Sequence, residues 1–284
     1  MSGRGRLLVV GTPIGNLGDL APRAAEALRS ADLIVAEDTR VAARLLAHLG
    51  AGVATISFNA HNAERRLPAL LARLAAGETL ALTTDAGMPG VSDPGAALVA
   101  AARVGGAEVQ VVPGPSAVTA AMALAGVEAT GFVFGGFLPS RPAGERRRAL
   151  ERLLDAARRT ELPLVLYESP HRIRALLALL GELAATARIG VGRELTKRHE
   201  EMLVGTPAEV AAALSEERGE FVLVASQLGS VAEIAVGELD VTGLLEAGRR
   251  AGLSNRSLSE LLRGAGLARR EAYRLVEGTV DQER

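Results

Sequence analysis

The chain opens with Leu7-Leu8-Val9-Val10-Gly11-Thr12-Pro13-Ile14-Gly15-Asn16-Leu17-Gly18-Asp19-Leu20, an apolar strand that leads through a glycine- and proline-containing loop into a helix. In α/β proteins, such a loop at the carboxyl end of a strand holds nucleotide-like ligands. The glycine spacing is not that of a dinucleotide fingerprint, and Pro13 removes a backbone donor where a pyrophosphate would approach. The loop therefore predicts an adenosine-type ligand without phosphates, including a cationic one.

Short apolar runs alternate with helical patterns through about residue 127, which predicts a parallel sheet covered on both faces. The strand candidates are 6–11, 32–36, 53–57, 79–84 and 108–112, and the helix candidates are 20–30, 39–49, 63–76, 94–104 and 116–126.

Strands follow one another more often in a second unit, which predicts a mixed sheet. Its strand candidates are 164–167, 187–192, 200–204 and 220–225, with helices at 143–158, 170–183 and 207–216. Three short helices near 241–250, 255–264 and 268–277 then predict a helix-turn-helix-like bundle. We expect an α/β domain at 1–127, a second at 128–237 and a helical domain at 238–284.

The composition is that of a folded soluble protein, with 48% hydrophobic and 23% charged residues. No apolar stretch is long enough to span a membrane, so no membrane partner is predicted. The absence of cysteine favours the cytoplasm. A net charge of −1 excludes a uniformly basic nucleic-acid binder but leaves room for local basic patches.

Of the 32 basic residues, 31 are arginine, and Lys197 is the single lysine. A desolvated lysine can lose its proton, whereas an arginine cannot. Lys197 is therefore a candidate for chemistry, and chance survival of one lysine is the alternative.

Two further loops repeat the strand-to-loop pattern, one from Asp85 after the strand at 79–84 and one from Pro113 after the strand at 108–112. In a parallel sheet, all three loops lie at one edge and line one cleft. The Asp85 carboxylate would accept hydrogen bonds from ribose hydroxyls and would favour a sulfonium over a phosphate. The alternative is that Asp85 only shapes a turn.

Seven motifs follow one another along nearly the whole chain: TPIGNLGD at 12–19, AEDTR at 36–40, DAGMP at 85–89, PGPS at 113–116, GFLP at 136–139, YESPHR at 167–172 and RELTK at 193–197. Together they resemble the ribosomal RNA small subunit methyltransferase I family of the tetrapyrrole-methylase superfamily. The resemblance implies a two-domain α/β fold, one parallel-sheet domain and one mixed-sheet domain, with a small C-terminal helical bundle. It also implies S-adenosyl-L-methionine in the cleft between the domains, a homodimer, and methylation of a cytidine ribose 2′-oxygen at the decoding site of 16S ribosomal RNA.

By that resemblance, the cofactor contacts fall on the three loops and on two strands of the second domain. They are Thr12, Pro13, Asp85, Gly87, Met88, Ser116, Ala117, Tyr167 and Ala225. A sulfonium needs no phosphate cradle, and the proline-containing loops supply none.

Methyl transfer to a hydroxyl needs an in-line oxygen and a group that takes the proton or stabilises the oxyanion. The candidates are Glu37, Asp38, Glu194 and Lys197. Asp38 is alternatively the N-cap of the following helix, and the charged residues at 193–197 are alternatively a solvated ion-pair cluster.

Candidate substrate contacts are Arg40 and Arg193 as phosphate binders, with Asn16 and His61 as further RNA contacts. His61 is alternatively a residue of a helix-capping loop. The histidines show no paired metal spacing, so no metal is predicted.

Two segments carry excess arginine: 141–159, with seven arginines against three acids, and 241–278, with seven against four. Both are candidates for phosphate contacts, and a solvated helix face is the alternative for each. An aromatic content of 2% argues against stacking platforms and favours recognition of RNA shape and backbone, either in free ribosomal RNA or in the assembled 30S subunit. The rival interpretations are a tetrapyrrole or precorrin C-methyltransferase and a non-enzymatic, ligand-sensing regulator that binds nucleic acid.

Overall fold

The computed structural model describes residues 4–90, 93, 95–229, 241–264, 267 and 269–278. The chain divides into two compact units, Met1–Leu228 and Gly229–Arg284. Two five-stranded sheets lie within the first unit, and their order confirms the predicted α/β class with one parallel and one mixed sheet. The predicted boundary at 127/128 falls inside this unit and stays a prediction, and the one at 237/238 lies outside the described residues.

The first sheet has the order β3-β2-β4-β1-β5, and all its strands are parallel. Its strands are β1 (Arg6–Val10), β2 (Leu33–Ala36), β3 (Thr55–Ser57), β4 (Thr79–Thr83) and β5 (Glu108–Val112). Helices α1 (Pro22–Ser30) and α2 (Thr39–His48) pack on one face, and α3 (Ala63–Ala75) and α4 (Gly95–Val104) pack on the other. Because the strands are parallel, the loops after β1, β2, β4 and β5 all leave from one edge.

The second sheet has the order β6-β7-β10-β8-β9, with β6 parallel to β7 and the other pairs antiparallel. Its strands are β6 (Val133–Phe137), β7 (Leu164–Glu168), β8 (Arg188–Arg193), β9 (Glu201–Gly205) and β10 (Phe221–Ser226). Helices α6 (Ala143–Thr160), α7 (Ile173–Leu183) and α8 (Pro207–Ala213) cover one face. β6 is a strand that the sequence pattern did not predict.

Helix α5 (Ala117–Ala125) packs on the other face of the second sheet, although it follows the last strand of the first sheet. Its Val118 and Ala121 meet Val222 and Val224 of β10 in one buried cluster. Ile14, from the loop after β1, joins the same cluster. The loops of the first sheet are therefore held directly against the second sheet.

The second unit contains α9 (Val241–Arg250), α10 (Asn255–Gly264) and α11 (Arg269–Gly278). Leucine and small apolar side chains, among them Leu245, Leu258 and Leu262, form its core. Within the described residues, no helix combines the length and apolar character needed to cross a membrane.

Candidate functional site

The loops after β1 and β4 are joined by backbone hydrogen bonds. The Thr12 N–H donates to the Gly87 carbonyl at 2.9 Å, and the Gly87 N–H donates to the Thr12 carbonyl at 3.1 Å. The buried Thr12 hydroxyl donates to the Thr84 carbonyl at 3.2 Å. Two of the predicted cofactor residues thus form a rigid bridge between the loops.

The loop after β5 meets the loop after β1 by direct backbone contact. A Cβ placed on Gly114 would lie 2.7 Å from the Gly11 carbonyl carbon, and a Cβ on Gly11 would lie 2.6 Å from both Gly114 Cα and Met88 Sδ. These separations are shorter than any side chain tolerates. Glycine is therefore required where the two loops and the predicted cofactor residue Met88 pack together.

A cavity of about 630 Å³ opens beside these loops, within the size range of small-molecule sites. It is lined by Ile14, Asp19, Pro113, Gly114, Pro115, Ser116, Thr119, Ala120 and Thr196. Of the predicted cofactor residues, Ser116 lines this cavity. The wall also includes Thr196 from the loop after β8, so both sheets contribute to it.

Three carboxylates lie at the adjacent ends of β2 and β4. The Asp38 N–H donates to Asp85 Oδ1 at 3.0 Å, and the Thr84 hydroxyl donates to Glu37 Oε2 at 2.7 Å. Burial raises the pKa of Asp85, and the nearby charge of Glu37 raises it further. The structure thus brings together Glu37, Asp38 and Asp85, which the sequence separates by up to 48 positions (85 − 37).

Asp38 is the N-cap of α2, as one of the two sequence interpretations held. Its carboxylate accepts from the Arg40 N–H at 2.8 Å and pairs with the Arg40 guanidinium at 2.5 Å. The hydrogen bonds from Arg40 lower the pKa of Asp38 to about 2. Asp38 is therefore a weak proton acceptor, while the Arg40 side chain, 87% exposed, is accessible to a phosphate.

If these loops bind the S-adenosyl-L-methionine that the sequence resemblance implies, replacing Asp85 by Asn is expected to weaken that binding at least tenfold, because a charge-assisted hydrogen bond is lost. The variant should nevertheless be as stable as the wild type or more stable at pH 7. The raised pKa of Asp85 means that its carboxylate opposes folding above the folded pKa and has no effect below the unfolded pKa of about 3.9. The gain should therefore shrink as the pH falls towards 3.

Calorimetric titration and urea unfolding at several pH values measure these two effects. Asn keeps an oxygen for the Asp38 N–H, so the turn itself is preserved. An unchanged affinity of Asp85→Asn for S-adenosyl-L-methionine would assign Asp85 to the turn alone.

Lys197 lies between the carboxylates of Glu194, which directly follows β8, and Glu220, which directly precedes the neighbouring strand β10. Its Nζ donates to Glu194 Oε1 at 2.8 Å and to Glu220 Oε2 at 3.1 Å. Burial lowers the pKa of Lys197, but these hydrogen bonds outweigh burial and leave the pKa raised. Burial likewise raises the pKa of Glu194, yet hydrogen bonds from Lys197 and from the Glu220 backbone leave it lowered. Lys197 is thus an ammonium in this arrangement, suited to stabilising negative charge and not to accepting a proton.

The loop that carries Lys197 is docked against the loop after β1. The Asn16 N–H donates to the Thr196 hydroxyl at 3.1 Å, and a Cβ on Gly15 would lie 2.4 Å from Lys197 Cγ. Glu194 and Thr196 adopt φ values of 50° and 66°, a left-handed conformation that is unfavourable for a β-branched residue. Strain of this kind persists where surrounding contacts impose it, and it occurs often at functional sites. The docking brings the predicted residues Asn16, Glu194 and Lys197 together.

The remaining predicted residues are Tyr167, Arg193 and Ala225 of the second sheet and His61, which follows β3 of the first sheet. Each has a different environment. Tyr167 is half-buried and packs into the cluster that contains Ala117, on the face of the sheet that α5 covers. The Ala225 side chain lies on the opposite face, which α6, α7 and α8 cover. Arg193 pairs with Glu201 at 2.9 Å. His61 is exposed in the turn between β3 and α3, where its N–H donates to Asn59 Oδ1 at 3.2 Å.

Thr84, Thr196 and Glu220 also take part in these contacts, although the sequence pattern did not indicate them. Thr84 and Thr196 directly adjoin candidates, so adjacency was a usable signal. Glu220 lies 23 positions from Lys197 and becomes its neighbour only because Phe221 of β10 pairs with Arg193 of β8. The sequence carries no signal for that contact.

Comparison with known proteins gives a consistent result along the chain. The family described as Tetrapyrrole (Corrin/Porphyrin) Methylases matches residues 6–211. A Ribosomal RNA small subunit methyltransferase I of Synechocystis sp. is 40% identical over 275 residues, covering 95% of this chain and 97% of that protein. The protein of the same name from Xylella fastidiosa (strain Temecula1) is 45% identical over 229 residues, covering 79% of this chain and 82% of that one.

A solved structure shares the fold at low sequence identity. The crystal structure of a diphthine synthase superposes with a TM-score of 0.62 at 14% identity, covering 78% of this chain and 90% of that one. At this identity the similarity concerns architecture alone, and it confirms the predicted tetrapyrrole-methylase-like fold.

Proposed function

Since this chain belongs to the ribosomal RNA small subunit methyltransferase I family of the tetrapyrrole methylases, we propose that it transfers a methyl group from S-adenosyl-L-methionine to small-subunit ribosomal RNA. The acceptor in this proposal is the ribose 2′-oxygen of a cytidine at the decoding site. The observation that carries it is the docking of the Lys197 loop on the loop after β1, which sets an ammonium beside loops suited to a nucleoside.

The chemistry of the loops fits the proposed methyl donor, which when bound supplies an electrophilic methyl group on a sulfonium. Pro13, Pro113 and Pro115 carry no backbone N–H, so these loops form a poor anion nest. The Asp85 carboxylate supplies the negative charge that a ribose hydroxyl or a cation prefers. We assign Thr12, Pro13, Asp85, Gly87, Met88, Ser116, Ala117 and Tyr167 to donor binding, with Ala225 limited to its backbone.

The acceptor hydroxyl must lose its proton as the new C–O bond forms. Among the candidates, Asp38 is held by Arg40, Glu194 is held by Lys197, and Lys197 is itself protonated. No ion pair engages Glu37 among the described residues, and one of its oxygens accepts from Thr84. We therefore assign Glu37 as the proton acceptor and Lys197 as the cation that stabilises the developing oxyanion. Asn16, Arg40, His61 and Arg193 are proposed RNA contacts.

The wider proposal takes small-subunit ribosomal RNA, free or within the 30S subunit, as the partner. The sequence resemblance supports a homodimer, and the absence of cysteine supports a cytoplasmic location.

Transfer of a radiolabelled methyl group tests the proposal. The purified chain is incubated with labelled S-adenosyl-L-methionine and, in parallel, with 30S subunits, deproteinised 16S ribosomal RNA, a precorrin and duplex DNA. We expect label in ribosomal RNA, and nuclease digestion followed by mass spectrometry should locate it on one cytidine ribose. Label in the precorrin would identify a tetrapyrrole enzyme, and DNA binding without transfer would identify a regulator.

A further inference from the structure

Arg66 is a half-buried residue of α3 with a polar atom that the fold does not use. Its Nε is buried and has no hydrogen-bond partner, and among the described residues its side chain makes no ion pair. A buried donor without a partner costs free energy, so native proteins rarely keep one without a reason. The guanidinium of Arg66 is therefore available to an anion from outside the chain.

The path of α3 shows which face of the first sheet Arg66 approaches. Because β2 lies between β3 and β4 in the sheet, the helix that joins β3 to β4 crosses β2. It packs on the face that carries Leu33 and Val35. Arg66 precedes the buried Leu70 by four positions, so both residues lie on the side of the helix that faces the sheet.

The length of α3 shows which edge of the sheet Arg66 approaches. Leu74 lies at the amino-terminal edge, because a Cβ on Gly5, the residue before β1, would clash with the Leu74 backbone. Arg66 is eight residues earlier, about 12 Å back along the helix axis. The strand from Leu33 to Glu37 covers about 13 Å in the opposite direction. Arg66 therefore lies at the carboxyl-terminal edge of the sheet, level with the end of β2.

Glu37, the proposed proton acceptor, shares this face and this edge. Alternate residues of a strand point to the same face, and Glu37 follows Val35 by two positions, as Thr84 follows Leu82. The hydrogen bond from the Thr84 hydroxyl to Glu37 agrees with this placement. Among the described residues, Glu37 and Arg66 form no ion pair with each other. A carboxylate and an unpaired cation thus line one corner of the sheet edge.

The turn before α3 fixes Arg66 relative to β2. The Phe58 N–H donates to the Ala36 carbonyl at 2.7 Å, which holds the turn against the last residue of β2. Within the turn, Asn62 Oδ1 accepts from the Asn59 N–H at 2.9 Å. The Asn62 carbonyl in turn accepts from the Arg66 N–H at 3.0 Å. The backbone that carries Arg66 is therefore preorganised beside the end of β2.

We propose that Arg66 binds the RNA phosphate on the 3′ side of the ribose that accepts the methyl group. This inference rests on the proposed function and assigns one contact of its substrate. The 3′-phosphate is attached to the carbon next to the one that bears the 2′-hydroxyl, so a cation beside the group that takes the 2′-proton is well placed for it. A carboxylate alone would repel the RNA backbone, and Arg66 supplies the compensating charge. A guanidinium also matches a phosphate through two parallel hydrogen bonds.

The carboxylate of S-adenosyl-L-methionine is the competing anion, and the sheet order argues against it. The cavity of about 630 Å³ is lined by residues that follow β1 and β5, together with residues of α5 and Thr196. In the order β3-β2-β4-β1-β5, β2 is two strands from β1, a distance of about 10 Å. Arg66 is therefore placed for the acceptor strand and not for the methyl donor.

A neutral RNA backbone tests the contact on the wild-type protein. The substrate is decoding-site 16S ribosomal RNA, free or within 30S subunits, with a methylphosphonate in place of the phosphate 3′ to the methylated cytidine. We expect kcat/KM for methyl transfer to fall about tenfold, because a charge-assisted bidentate contact is lost. In Arg66→Gln the methylphosphonate should cause no further loss, since the two changes remove the same interaction.

Arg65→Gln is the matched control, because Arg65 is the adjacent residue, carries the same charge and is exposed. It should show the full tenfold effect of the methylphosphonate. Arg66→Gln should reduce the slope of log RNA affinity against log salt by about 0.7, and Arg65→Gln should leave it unchanged. Arg66→Gln should also unfold in urea as the wild type does, because its side chain makes no hydrogen bond within the fold.

A wild-type kcat/KM with the methylphosphonate RNA, or equal effects of Arg66→Gln and Arg65→Gln, would overturn the proposal. A loss of affinity for S-adenosyl-L-methionine in Arg66→Gln, measured by calorimetry, would place the donor carboxylate at Arg66 and equally overturn it. If the wild type transfers no methyl group to ribosomal RNA, the proposed function fails. A smaller salt slope in Arg66→Gln alone would then still support a phosphate contact at Arg66, and an unchanged slope would overturn it.

Discussion

The Lys197→Ala variant is expected to bind S-adenosyl-L-methionine as the wild type does and to transfer the methyl group to ribosomal RNA 10²- to 10³-fold more slowly. Removing one preorganised group that stabilises an oxyanion has a cost of this size. The ammonium is preorganised because Glu194 and Glu220 hold it and because its stem packs against Gly15. Single-turnover transfer rates and calorimetric donor titration measure the two quantities separately.

Arg198→Ala is the matched control, since Arg198 is the next residue, carries the same charge and is exposed. It should keep the wild-type rate. Lys197→Arg should recover little activity, because a planar guanidinium does not replace a compact ammonium beside Gly15. A wild-type rate in Lys197→Ala would remove Lys197 from the mechanism, and loss of donor binding would assign it to docking of the loop.

The direction of the Lys197 pKa shift adds a pH test of the same assignment. A raised folded pKa means that the ion pairs stabilise the protein fully below the unfolded pKa of about 10.4. That contribution is lost as the pH rises through the folded pKa. Because its raised pKa keeps Lys197 protonated between pH 7 and 9, deprotonation of Lys197 should not slow the wild-type enzyme in this range. A fall in the wild-type rate between pH 7 and 9 that is absent in Lys197→Ala would contradict this assignment.

The Gly114→Ala variant is expected to lose donor affinity by more than tenfold and to unfold with about 1–3 kcal/mol less free energy. The added methyl group would lie 2.7–2.9 Å from three backbone atoms of Gly11, so the two loops must separate. Met88, which packs at the same point, would move with them. Urea unfolding and calorimetric titration measure both effects.

Gly52→Ala is the matched control, because nothing lies within 4 Å of a Cβ at that position. It should change the free energy of unfolding by less than about 0.5 kcal/mol and leave donor affinity unchanged. If Gly114→Ala binds the donor with wild-type affinity, the close approach of the two loops has no role in forming the donor site.

Much of the fold was determined by local sequence pattern. The apolar runs at β1, β2, β4 and β5 and the amphipathic helices between them predict a parallel sheet, because hydrophobic period and turn residues act over a few positions. The three strand-to-loop transitions also predicted one shared edge, since parallel strands end together. Strand β6 was missed because its two central glycines carry no apolar alternation.

The loops of the site were thus predictable, and their mutual contacts were not. The sequence marks Lys197 as the single lysine, yet its protonation state depends on Glu220, which β-sheet register brings beside it. The sequence marks 141–159 as basic, but hydrogen bonds and ion pairs formed in three dimensions hold Arg146, Arg147 and Arg158 within the protein. Helix α5 is predicted from its composition, whereas its place on the second sheet follows from the packing of its apolar side chains against Val222 and Val224 of β10.

By itself, the sequence determined the strand-to-loop transitions from which the site is built, because propensity and backbone stereochemistry are local. Only the tertiary structure decided which loop meets which, that Gly11 faces Gly114 and that Lys197 is held as a cation. Those outcomes depend on packing and electrostatics between residues far apart in the chain, and no local pattern encodes them.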